Sequence, residues 1–213
     1  IYINANPDDL LYDALVEAGR EPRRVLCPWN RDLDESEVPA DLKVEADFVP
    51  TKQQPLVYHL LGHMSVPESI VLSEDQYFDY LVWVSQDRTR GEDQAIPSKV
   101  GRALTMNALI FLGFEIDDWN LRVLLHSLIN PRNQPLNRPN SLAVQVSPDR
   151  DSVLDPELAC KYLEQYLGHF RKVCVNIYWG TVQVFLRKLW ERRDEWKPAG
   201  WDWQGEGWEH LVE

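Results

Sequence analysis

IYINANPDDLLYDALVEAG, residues 1–19, is the stretch whose reading decides the fold. IYI at 1–3 reads as a strand, and the segment after it reads as a helix with Asn6 as its N-cap, Pro7 at the first helical position and Gly19 at its end. A strand that turns directly into an amphipathic helix is half of a βαβ unit, so a second strand should follow. RRVLC at 23–27 supplies it. Residues 31–47 carry seven Asp or Glu against Arg31 and Lys43 and read as a solvated excursion. DFVP at 47–50 and PLVYHLLG at 55–62 are expected inside the sheet region, the latter as a third strand. SIVLS at 69–73 runs into a helix, where Ser73 and Gln76 form an S-x-x-Q capping box and Tyr77, Tyr80, Leu81 and Val84 share one face.

The alternation continues through the second half. IPSKVGRAL (96–104) is expected to be helical, NALIFLGF (107–114) is an apolar strand reaching Gly113, and DDWNLRVLLHSLIN (117–130) is a helix. LAVQV follows as a strand, then a helix opened by Asp155 and Pro156 with Leu158, Tyr162, Leu163 and Tyr166 on it. VCVNIYW is the last strand, and Val182, Phe185, Leu186, Leu189 and Trp190 line the last helix. Nearly continuous apolar strands alternating with amphipathic helices imply an α/β, Rossmann-like fold: a mainly parallel sheet with helices on both faces.

Composition excludes several classes. The chain has 213 residues, 44% of them apolar, enough for one sizeable domain, read as residues 1–195 with a Trp-rich tail at 196–213. A formal net charge of -12 disfavours direct nucleic-acid binding, which rests on clustered Lys and Arg. Cys27, Cys160 and Cys174 are widely spaced, so neither a disulfide framework nor a cysteine zinc ribbon is expected, and no metal is expected at the site. No apolar run reaches the roughly 18–20 residues that cross a bilayer. A cytoplasmic setting fits. The start at Ile1 on a strand reads as an N-terminally incomplete domain. The tail holds Trp196, Trp201, Trp203 and Trp208, and it either folds back on its own domain or meets a sister subunit or partner protein, where Trp is enriched.

In a parallel α/β sheet, ligands bind outside the carboxyl ends of the strands. The candidate segments are therefore Asn4–Asp9, His59–His63, Gly113–Asp118 and Tyr178–Thr181. No G-x-G-x-x-G and no Walker loop occurs in the chain.

NANPDDLLYDALVEAG, VYHLLGHMSVPESIVLSEDQYFDYL, ALIFLGFEIDDWNLRVLL and IYWGTVQVFLRKLW, in this order, resemble the bacterial sirtuin-like domains that bind NAD and often act as NAD-depleting effectors of antiphage defence. The resemblance covers roughly residues 1–195. It implies that Asn6 and Asp8 match the Asn and Asp of the family's T-x-N-x-D motif, which orients the nicotinamide ribose and its attacking water. Helix capping is the competing role for both. Gly113 matches the glycine ending the family's F-L-G-[YF] strand, where backbone approaches the dinucleotide, and an ordinary strand-end turn is the alternative. Asp118 is the ligand-side choice among Asp117, Asp118 and Arg122, and Gly180 belongs to the closing strand-end motif with Tyr178 and Trp179.

The departures bear on activity. The family's L-H-G strand, whose His acts on a ribose hydroxyl, reads Leu60-Leu61-Gly62, with Gly62 kept as a cofactor contact. His59 lies two residues upstream of Leu61, on the same strand face, and is either a displaced base or a core histidine bonded to a backbone carbonyl. Two functions follow from the resemblance. One is an NAD glycohydrolase using Asn6, Asp8 and His59; the other is a non-catalytic nucleotide-binding or scaffolding module.

Overall fold

The computed structural model describes residues 1–30, 32–34, 36–45, 47–87, 96–114, 140–148, 151, 153–168, 174–193 and 195. They form two compact units, divided at Gly101 and Arg102.

The first unit is built on a three-stranded sheet of β1 (Tyr2–Asn4), β2 (Arg23–Leu26) and β3 (Leu56–His59), in the order β1-β3-β2. All pairs are parallel, with Asn4 and Leu26 both in register with His59. β3 is therefore the central strand, and its four residues are all buried, as an apolar run covered from both sides requires. The helix α1 (Leu10–Glu17) carries the chain from β1 to β2, and α2 (Glu74–Asp87) follows β3. The capping box at the start of α2 forms as read: Ser73 Oγ accepts from Gln76 N–H at 3.2 Å, and Gln76 Oε1 accepts from Ser73 N–H at 3.0 Å. Tyr80 and Val84 are buried on the expected face, joined by Trp83.

The structure corrects three boundaries. The first helix begins at Leu10 rather than beside Asn6, because the Asn4 side chain holds the intervening loop, bonding the Asn6 N–H and the Asp8 carbonyl. The third strand ends at His59, and Leu60 and Leu61 form a turn, so Leu61 does not share a strand face with His59. DFVP contributes no strand among its described residues. The acidic excursion is also less solvated than its charge implies. A short 3-10 turn, Ala40–Leu42, sends Leu42 into a cluster with Leu26 and Val66, against which Leu33 and Val38 pack. Three apolar residues among the acids anchor the segment while the carboxylates face outward.

The second unit holds β4 (Ile110–Phe111), β5 (Ser141–Gln145) and β6 (Val175–Trp179), again all parallel, in the order β4-β5-β6. The helix α3 (Ser98–Met106) spans the division between the units. α4 (Pro156–Gly168) and α5 (Val182–Glu191) start where they were read, with Asp155 Oδ1 accepting from Leu158 N–H at 3.0 Å and Thr181 Oγ1 from Val184 N–H at 3.3 Å. Two wholly parallel sheets and five α-helices among the described residues make this an α/β, Rossmann-like protein. No helix among the described residues is long and apolar enough to cross a membrane.

Candidate functional site

The carboxyl edge of the first sheet is where the sequence concentrates its chemistry. β1 ends at Asn4, which is buried and ties the following loop to itself: its Oδ1 accepts from Asn6 N–H at 3.1 Å and its Nδ2 donates to the Asp8 carbonyl at 3.2 Å. The loop thus turns around a side chain, an Asx turn, rather than around a helix cap. Asn6 is left exposed on its rim. Asp8 makes a second turn of this kind, accepting from Leu10 N–H at 3.2 Å, just before the N-cap residue Asp9. Two backbone bonds stitch this loop to the one after β3: Leu60 N–H to the Asn4 carbonyl at 2.8 Å, and Met64 N–H to the Pro7 carbonyl at 2.9 Å.

Beneath that rim lies Asp9. Its Oδ1 accepts from Arg24 Nη1 at 2.7 Å and from His63 Nε2 at 3.0 Å. Arg24 also pairs with Asp41 and lies over the Tyr12 ring, 4.3 Å from its centroid. Burial opposes ionisation of Asp9, but the Arg24 and His63 hydrogen bonds outweigh it and hold the carboxyl below its usual value. Burial likewise opposes the charge on Arg24, and the Asp9 hydrogen bond together with the charges of Asp9 and Asp41 more than compensates.

The tautomer of His63 follows from its neighbours. Ser65 N–H points at Nδ1 from 3.2 Å, and a backbone N–H can only donate, so Nδ1 accepts and the ring proton sits on Nε2, facing Asp9. Ser65 Oγ completes the set at 2.7 Å from Nδ1. His59 stands 4.6 Å away, ring centroid to centroid, at 81°. It is 0% exposed, and neither of its ring nitrogens has a hydrogen-bond partner among the described residues. The backbone of Asn6 lies near enough to the ring to interact with it, without the geometry of a full hydrogen bond. Burial first, and His63 second, press its pKa down to about 4, against opposing pulls from Asp9 and the nearby Asn6 backbone.

Gly62 has a local explanation. With φ +99, a Cβ there would lie 2.5 Å from Ile70 Cα and closer still to the Ser69 carbonyl oxygen. That carbonyl accepts the Trp29 indole N–H at 2.5 Å, and Ser69 Oγ accepts from His63 N–H at 3.0 Å. The glycine lets two chain segments cross, which positions His63.

Asn6, Asp8, His59 and Gly62 therefore gather at one sheet edge in the first unit, while Gly113 and Gly180 belong to the second. There they follow β4 and β6, and Gln145 at the end of β5 links their loops: its side-chain amide donates to the Phe114 carbonyl at 2.6 Å and its own carbonyl accepts from Gly180 N–H at 2.8 Å. A Cβ on Gly113 (φ +72) would meet open space. Asp118 and the tail lie outside the described residues. The sequence reading passed over Asn4, Asp9, Arg24 and His63 as a connected set. The only signal for Asn4 was its place between a strand and a Pro-containing turn. Asp9 was indistinguishable from a first-turn helix acid.

Wholly parallel strands alternating with helices define a Rossmann-like α/β domain. Residues 1–169 match the SIR2-like domain family, and the chain belongs to it. Neither the curated proteins nor the solved structures gave a match.

Proposed function

We propose that this SIR2-like domain binds NAD and acts as an NAD glycohydrolase, in the setting of cytoplasmic bacterial antiphage defence. The observation that carries the reading is Asn6: exposed, at the carboxyl edge of a parallel sheet, on a loop fixed by buried Asn4. In this reading water adds to C1′ of the nicotinamide ribose as the glycosidic bond breaks, its electron pair leaves with nicotinamide, and the proton lost by the water passes to His59 as base or to solvent. Asn6 positions that water, Asp8 orients the loop, and Gly62, Gly113, Asp118 and Gly180 are the cofactor-side positions. A positioned group of this kind contributes about 10²-fold or more. Nicotinamide release by the purified chain, compared with Asn6→Ala, tests the reading; turnover unaffected by the substitution overturns the site.

The second reading is a non-catalytic NAD-binding or scaffolding module. What favours it is Leu61 in place of the family's histidine, together with the complete enclosure of His59. Under this reading NAD binds without turnover. The division into residues 1–195 and a tail that packs on this domain, on a sister copy or on a partner protein belongs to the same proposal; removing residues 197–213 and finding unchanged stability and oligomeric state would exclude all three arrangements of the tail.

A further inference from the structure

We infer that Asp9, His59 and His63 form a binding site for a first-row divalent metal ion of the zinc type. The donor atoms of these three residues all lie within 4.8 Å of one another. Two donors bound to one ion at about 2.0–2.2 Å stand roughly 3–4 Å apart, and His63 Nε2 and Asp9 Oδ1 are 3.0 Å apart. Two imidazoles and one carboxylate are the nitrogen and oxygen donors that zinc and its first-row neighbours take, with a coordination position left for water or a ligand oxygen.

His59 is the independent observation. A histidine with 0% exposure whose ring nitrogens make no well-formed hydrogen bond, with only the Asn6 backbone interacting with it, departs from the rule that buried polar groups find partners. An ion shared with His63 and Asp9 gives it one. The surroundings also suit second-shell support. When the ion takes His63 Nε2, the single ring proton moves from Nε2 to Nδ1, giving up its bond to Asp9 and donating instead to Ser65 Oγ, 2.7 Å away, whose hydroxyl can accept as readily as donate; the Ser65 N–H that now meets Nδ1 must turn away from it. Arg24 opposes a cation at this place through its bond to Asp9, and Asp41 offsets it from the other side of the guanidinium. The donor set is distinct from a cysteine ribbon: it uses no thiolate.

The test is metal binding by the whole 213-residue chain after chelator treatment, with cobalt and zinc as probes. One equivalent of cobalt should bind with the visible d–d absorption of a nitrogen and oxygen site, and zinc should displace it. His59→Ala and Asp9→Asn should each weaken binding by about 100-fold or more, and the milder Ser65→Ala by about 10-fold. Since the first two changes could disturb folding, imidazole NMR of the unaltered chain provides the second readout: of five histidines, two should shift on adding zinc. Cobalt–thiolate charge-transfer absorption would place the ion on Cys27, Cys160 or Cys174 and overturn the site. So would zinc leaving the histidine signals unmoved, or folded His59→Ala binding as tightly as the parent.

Discussion

His63 Nε2 donates to Asp9 Oδ1 at 3.0 Å, joining two positions separated by 54 residues across the carboxyl edge of the first sheet. Because Arg24 shares the same oxygen, the three side chains act as one network, and in metal-free protein Asp9→Asn and His63→Gln should not be additive. A coupling of about 0.5–3 kcal/mol is expected from a urea-denaturation double-mutant cycle. Strict additivity would mean that the contact holds nothing together.

Asn4 and Asn6 separate loop architecture from chemistry. Asn4→Ala removes an acceptor and a donor from a buried side chain and should cost about 1–3 kcal/mol of stability, together with any NAD binding. Asn6→Ala, at an exposed position, should leave stability within about 0.5 kcal/mol while lowering NAD turnover. Thermal melts paired with nicotinamide release check both halves. Equal stability losses in the two variants would contradict the division.

The glycines should respond unequally. Gly62→Ala combines a strained φ with a Cβ inside the Ser69–Ile70 backbone, and more than about 3 kcal/mol of destabilisation is expected. Gly113→Ala adds only the left-handed backbone penalty of about 1–2 kcal/mol, since nothing stands near its Cβ. Chemical denaturation of the two variants checks the order.

The pH dependence of stability carries a signature of His59. Its folded pKa of about 4 lies below the ordinary 6.5, so between those values the unfolded chain takes up a proton that the folded chain refuses. Stability in the presence of a chelator should therefore fall as pH drops from about 6.5 towards 4. Asp9, whose folded pKa is depressed from 3.8, adds stability that disappears only at still lower pH. His59→Gln should flatten the upper window and leave the lower one; an unchanged slope in urea titrations from pH 7 to 4 would detach the effect from this residue.

The sheet was legible because apolar runs such as LVY demand cover on both sides, and parallel pairing answers that demand. The strand-to-helix turn after Asn4 was legible too. What escaped was anything set by long-range crossing. Pro7 looked like a helix start, yet the Asn4 side chain held the loop after it and delayed the helix to Leu10. The acidic excursion hid Leu42 as a core residue because its neighbours dominate the composition. His63 stood in the sequence only as the end of the candidate segment His59–His63, and the approach of Ser69 to Gly62, invisible in a linear pattern, encloses it.

The strand order β1-β3-β2 has a consequence for biosynthesis. β1 and β2 each pair with β3 and not with each other, so during translation both must wait, unpaired, until Leu56–His59 has cleared the ribosomal exit tunnel. The sheet then closes in one step by insertion of its middle, a non-local event of the kind that slows folding. A nascent chain stalled before Leu56 would present two open strand edges to chaperones, whereas one released past Ile70 already carries every contact that locks His63 in place.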